Sequence, residues 1–169
     1  YGGTIVPHAR DEDRFDPARY DRAETRARLG VTDDQRLLLF GGTPRAHKGV
    51  LEVLEALDRL GDDRYRLLVF GSRQLDEMRD RIGPRRRWVV PVDDQPFSDL
   101  ARTVGAADLA CVLQDPTHPV TAHQMPAKIT DALAMEVPCL VTPTAPLAPL
   151  LERGVLQVLD PHDDLAERI

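Results

Sequence analysis

The stretch Leu37-Leu38-Leu39-Phe40-Gly41-Gly42-Thr43-Pro44-Arg45-Ala46-His47-Lys48-Gly49-Val50-Leu51 decides the fold. Four consecutive large apolar residues closed by two glycines read as a short strand buried on both faces. Beyond the loop, Val50, Leu51, Leu54, Leu57 and Leu60 recur at helical spacing as far as Gly61. A doubly buried strand followed by an amphipathic helix is the first half of a βαβ unit, and its second half is a parallel strand.

That strand follows. Leu67-Leu68-Val69-Phe70 repeats the apolar run and again ends in glycine, Gly71. Further strands are expected at Trp88-Val89-Val90 (cut by Pro91), Leu109 to Leu113, Cys139-Leu140-Val141 and Val155 to Leu159. Helices are expected at Leu75–Ile82, Phe97–Ala106, Pro126–Met135, Leu147–Leu151 and from Leu165 onward, with Pro126 in a first turn, where proline is favoured. Upstream, Ile5-Val6-Pro7 reads as a strand end, and Ala23–Leu29 as a short helix closed by Gly30. The alternation predicts an α/β, Rossmann-like, doubly wound parallel sheet with helices on both faces. Residues 37–169 form this domain and residues 1–36 lead into it. Ligands of such sheets bind outside the carboxyl ends of the strands. The loops that matter are therefore Gly41–Lys48, Gly71–Gln74, Pro91–Pro96 and Gln114–Lys128.

Composition narrows the function. The 169 residues amount to one domain, or half of a two-domain protein. A net charge of −6 argues against nucleic acid as the main partner. There is no apolar run of membrane-spanning length, no basic-then-apolar leader, and nothing that indicates membrane contact. Cys111 and Cys139 sit inside apolar runs and read as buried free thiols, which suits a reducing cytoplasm. Arginine is abundant, yet lysine occurs only at Lys48 and Lys128. Where a chain avoids lysine, a retained one marks a place for a compact ammonium.

Both lysines fall in the expected binding loops. After β-strand 37–40, Gly41-Gly42 lets backbone approach a ligand, and Arg45 and Lys48 lead into a helix N-terminus that attracts anions. The spacing is neither the P-loop nor Gly-x-Gly-x-x-Gly, so a phosphate site and a solvated loop both remain open. In Gln124-Met125-Pro126-Ala127-Lys128-Ile129-Thr130-Asp131, Lys128 lies one turn into a helix, where a cation opposes the dipole unless an anion sits between. Asp131 is either the partner of a Lys128 surface pair or a carboxylate that accepts ribose hydroxyls. Taken together, the loops favour a nucleotide diphosphate.

At this point the chain resembles the C-terminal, donor-binding half of the GT-B, group 1 retaining glycosyltransferases. Six segments carry the resemblance in order. They are Val6-Pro7-His8-Ala9-Arg10-Asp11 with Phe15-Asp16-Pro17, Phe40-Gly41-Gly42 with Lys48-Gly49-Val50 and Ala56, Val69-Phe70-Gly71-Ser72, Ala106-Ala107-Asp108-Leu109, Pro126-Ala127-Lys128-Ile129-Thr130-Asp131, and Asp131-Ala132-Leu133-Ala134-Met135-Glu136-Val137-Pro138. The resemblance implies binding of a nucleoside-diphosphate sugar and its transfer with retention, without a metal or other cofactor. It also implies an N-terminal acceptor domain ahead of residues 1–36, so that the isolated piece is inactive. Lys48 would bind the donor diphosphate, with Arg45 and Lys128 as further cations. Asp131 would contact ribose, backbone at Val90 and Val92 would flank the base, and Gly42 and Gly71 would admit the donor. Lys48 and His123 are the catalytic candidates.

The sequence departs from the family pattern in four places. His123 replaces the first Glu of Glu-x7-Glu, Gly42 stands where a second basic residue is usual, Glu136 replaces a glycine, and Ala9 another. His123 is therefore either a sugar or phosphate contact or an ordinary loop histidine. A metal site from Asp115, His118 and His123 lacks a fourth ligand. Arg85-Arg86-Arg87 reads as a solvated turn, and His8 as a candidate interdomain contact. Two other readings stand beside the transferase: another GT-B enzyme such as a nucleotide-sugar epimerase, and a degenerate domain kept for interaction.

Overall fold

The computed structural model describes residues 8–93 and 95–169. Six parallel strands form one sheet: β1 (Arg36–Phe40), β2 (Tyr65–Phe70), β3 (Val89–Val92), β4 (Leu109–Val112), β5 (Cys139–Val141) and β6 (Gln157–Val158). Their spatial order is β3-β2-β1-β4-β5-β6. The chain winds outward from β1 to β3, returns to β4 on the other side of β1, and winds outward again. Loops leaving β1 and β4 diverge there, which opens a crevice at the switch point.

The leucine run explains the two cores. Side chains alternate across a strand. Leu37 and Leu39 join one buried cluster with Ala110, Val112, Ile129 and Val141. Leu38 and Phe40 join the other with Val53, Leu54, Leu57, Cys111 and Leu140. The second face is covered by α2 (Val50–Leu60) and Trp88. The first is covered by α5 (Phe97–Gly105) and α6 (Ala127–Ala134), with α1 (Arg22–Arg28) packed on α5.

The lead-in segment is tied to the sheet by a buried arginine. Arg26 is 3% exposed. It donates to Thr32 O (3.1 Å), Gln35 O (2.7 Å), Ala106 O (3.0 Å) and Asp108 Oδ2 (3.2 Å). Asp108 also accepts from Leu37 N–H at 2.7 Å and from Arg22 at 2.6 Å. Burial pulls the Asp108 pKa up, but the Leu37 hydrogen bond and the two arginines outweigh it and hold it low. The Ala-Asp segment quoted above thus clips α1 to β1 and β4.

Several boundaries differ from expectation. The single helix at 75–82 is two pieces, α3 (Ser72–Glu77) and α4 (Arg79–Ile82), broken at Met78, whose N–H closes a tighter bond to Leu75 O. Trp88 is not in β3. It ends a 3-10 segment (Gly83–Trp88) and is 1% exposed, its Nε1 donating to Asp58 at 3.4 Å. The Arg85–Arg87 run is a 3-10 segment rather than a loose turn, with Arg85 and Arg87 facing Asp58 and Arg86 facing Asp76. Pro126 is the N-cap of α6, not its first residue. The last strand keeps only Gln157–Val158, followed by α8 (Leu165–Arg168), and α7 (Ala148–Glu152) precedes it. The strand end expected at residues 5–7 lies outside the described residues. Cys111 and Cys139 are buried and free, and burial pushes both thiols up to about 12. No helix among the described residues is long and apolar enough to cross a membrane.

Candidate functional site

A cleft of about 480 Å³ lies at the carboxyl ends of the strands, between the loops after β1 and β4. Lys48 enters from the β1 side. It is the last residue of a short 3-10 turn (Ala46–Lys48), and Gly49 then opens α2 in a left-handed conformation (φ +81°). A Cβ at Gly49 would meet Leu113 O at 2.3 Å. Lys-Gly therefore reflects close packing of this helix start on the end of β4 as well as any contact with ligand.

Lys128 enters from the other side, in the first turn of α6. Its stem packs on Gly41, where an added Cβ would meet Lys128 Cβ at 3.1 Å. Its ammonium lies over the Phe40 ring, 4.9 Å from the centroid. Nζ is buried and, among the described residues, has no hydrogen-bond partner. Desolvation, and then the charge of Lys48, depress its pKa to about 8. Lys48 is also depressed, by burial and then by Arg45. Two cations thus converge on one cleft, and no ion pair to either ammonium is formed among the described residues. An unpaired buried cation is costly, and an anion relieves the cost. The amides at the start of α6 lack intrahelical acceptors and add to the same field.

Asp131, one turn further along α6, lines the cleft. It does not pair with Lys128. Its Oδ1 accepts from Arg10 Nε in the lead-in segment. Gly42 (φ +101°, with open space at its Cβ) and Gly71 (φ +81°) also line the cleft. Gly71 N–H donates to Val92 O at 3.0 Å, so the loop after β2 is tied to the end of β3.

The remaining expected residues lie outside the lining. Arg45 is exposed and acts on Lys48 through its charge. Val90 and Val92 pack against the core cluster, and Val92 O is engaged by Gly71. His123 is exposed beside Gln124, which does line the cleft. Asp115, His118 and His123 do not form a ligand set, and no group of three or more His, Cys, Asp or Glu among the described residues is placed to hold a metal. Glu136, one of the departures, adopts φ +57° at the far end of α6 and borders a different depression. Its replacement of glycine leaves the cleft untouched.

Some lining residues were not singled out from sequence. Gln114 is 5% exposed and Gln95 accepts from Thr103 at 3.1 Å; among the described residues, Gln114 Oε1 and Gln95 Nε2 have no partner. Phe97 is 56% exposed at the mouth and packs on Phe15, with centroids 6.0 Å apart. Gln114 and Gln95 lie in the loops named above, but an isolated glutamine carries no spacing signal. The two loops around Lys48 are also joined. His47 and His118 stack 4.3 Å apart at 12°, and Asp115 N–H donates to His47 O at 3.0 Å. Burial, then His118, Lys48 and Arg45, lower the His47 pKa against the pull of Asp115.

A doubly wound parallel sheet with a cationic cleft at its switch point defines the chain as a Rossmann-like, ligand-binding α/β domain. The chain belongs to the group 1 glycosyltransferases, whose family-wide pattern, "Glycosyl transferases group 1", matches residues 34–169. A D-inositol 3-phosphate glycosyltransferase of Xylanimonas cellulosilytica is 30% identical over 177 aligned positions, covering 96% of this chain and 40% of the relative. Anabaena Alr3699/HepE, solved in complex with UDP and glucose, superposes with a TM-score of 0.76 at 16% identity, covering 98% of this chain and 46% of that one. A glycosyltransferase from Rickettsia africae superposes with a TM-score of 0.72 at 17% identity, covering 94% and 43%. Likeness at these identities speaks for the GT-B fold. The chain spans less than half the length of each of these relatives.

Proposed function

We propose that this chain is the C-terminal, donor-binding half of a retaining, metal-independent glycosyltransferase. The observation that carries the reading is the buried ammonium of Lys128, without a hydrogen-bond partner among the described residues, at the cleft that Lys48 also lines. The donor's diphosphate lies between the two lysines and the N-terminus of α6. Its ribose reaches Asp131, and its base lies toward the ends of β2 and β3. The relatives supply the ligand class: the HepE structure contains UDP and glucose, and the Xylanimonas relative is named for glycosyl transfer.

The chemistry assigned to these residues is electrostatic. The bond from the sugar's anomeric carbon to the diphosphate breaks, and a bond to the acceptor oxygen forms. Negative charge then collects on the departing phosphate oxygens, where Lys48, Lys128 and the helix amides neutralise it. The acceptor comes from a further domain, in keeping with relatives more than twice as long. This chain alone therefore binds donor and does not transfer sugar efficiently.

A thermal-shift titration with UDP, GDP, ADP, dTDP and CMP tests the reading. One diphosphate at about 100 times its Kd adds about 2.7 kcal/mol, a rise of roughly 5–10 °C for a domain of this size. The rise is lost in Lys48→Ala. No rise with any nucleotide, or efficient sugar transfer by the isolated chain, contradicts the proposal.

A further inference from the structure

Asp131 faces the cleft, but a residue more than a hundred positions earlier holds it. Arg10 Nε donates to Asp131 Oδ1. The same guanidinium donates from Nη2 to Ala127 O at 3.3 Å and from Nη1 to Ala9 O at 2.9 Å. It also lies over the Phe15 ring, 5.6 Å from the centroid. Both partners are largely buried, with side-chain exposures of 16% and 12%. Arg10 is thus fixed by a carboxylate, two carbonyls and an aromatic face, and it approaches α6 without lining the cleft. Among the described residues, Oδ2 of Asp131 accepts no hydrogen bond.

We infer that Arg10 is a positioning residue. It pins one oxygen of Asp131 so that the other is presented to the ribose of a nucleoside diphosphate. Sugar recognition at the nucleotide thereby depends on the lead-in segment. The inference rests on the reading of Asp131 as the ribose carboxylate.

Calorimetric titration of UDP, GDP and ADP, each against its 2′,3′-dideoxy form, tests this on wild type, Arg10→Ala, Arg10→Lys and Asp131→Asn. Hydrogen bonds to a charged group contribute enough for wild type to prefer the ribose form about tenfold. In Arg10→Ala and in Asp131→Asn, affinity for the ribose form falls about tenfold, affinity for the dideoxy form changes less than twofold, and the preference disappears. Arg10→Lys, which keeps one donor, restores part of it and carries the same readout should Arg10→Ala not fold. If Arg10→Ala weakens both forms equally, Arg10 is only structural and the inference falls. If it strengthens the ribose form, Arg10 is a competitor and the inference falls. Wild-type binding with an unmoved preference overturns the inference alone. No wild-type binding of any nucleotide overturns the site reading and the inference together.

Discussion

Lys128, in the site proposed for the diphosphate, opposes stability. Its pKa lies near 8, against 10.5 for a free lysine. Between those values the unfolded chain holds a proton that the folded chain lacks, so stability rises with pH across that window. At pH 7 most of the buried charge is present and unfavourable. Replacing it with an uncharged side chain of similar length, Lys128→Met, is predicted to stabilise the ligand-free chain by about 1–3 kcal/mol, or several degrees in a melting curve, while abolishing diphosphate affinity. A diphosphate favours the charged form. On the proposed reading, affinity is predicted to weaken as pH rises through about 8 and binding there to take up a proton, measurable by calorimetry in buffers of different ionisation enthalpy. Glu136 is a different kind of oddity. A left-handed conformation at a residue with a Cβ costs about 1–2 kcal/mol, so Glu136→Gly should raise stability by about 1 kcal/mol in chemical denaturation and leave nucleotide binding unchanged. Both lysines were legible because they are the only two in an arginine-rich chain. Arg10 was not, because its partner is 121 positions away and local spacing says nothing about such a pair.

At the scale of elements, the loop–helix junction after β1 carries Lys48 into the proposed site. Gly49 has both a positive φ and no room for a Cβ against Leu113 O. Gly49→Ala is predicted to destabilise the chain by about 2–4 kcal/mol, because backbone at the end of β4 must move. Its nucleotide affinity should fall in parallel, since Lys48 precedes it. A melting curve and a titration on the same variant check both. Glycines after β1 and β2 were readable as signals because they close apolar runs. The break at Met78, the 3-10 segment before Trp88 and the two-residue β6 were not. Each follows from tertiary packing, such as Trp88 against α2, that overrides a local helical or strand preference. The same limit applies to Val90 and Val92. A strand ending at Val90 was readable, but its continuation through Pro91 to Val92, whose O accepts from Gly71 N–H, was not.

Across the whole molecule, the alternation of apolar runs and helical stretches was enough to predict a doubly wound parallel sheet, because doubly buried strands have few other homes. Strand order needed the structure, and with it the switch point between β1 and β4 that brings Lys48 and Lys128 to one cleft. The tie between the lead-in segment and the sheet was hidden for a simple reason: arginine is seldom buried, and nothing in Arg26's neighbours marks it. Arg26→Ala strips the charge partner and the donors from Thr32, Gln35, Ala106 and Asp108 together. It is predicted to cost about 3 kcal/mol or more, read as a lowered denaturation midpoint.

The central claim is that Lys48 and Lys128 hold one diphosphate between them. Calorimetry of the preferred nucleoside diphosphate against its monophosphate, on wild type, Lys48→Ala and Lys128→Met, addresses it most directly. The account predicts that wild type favours the diphosphate by at least about tenfold, as expected for added charge-assisted hydrogen bonds, and that either substitution collapses the gap. A gap that survives both substitutions would contradict it.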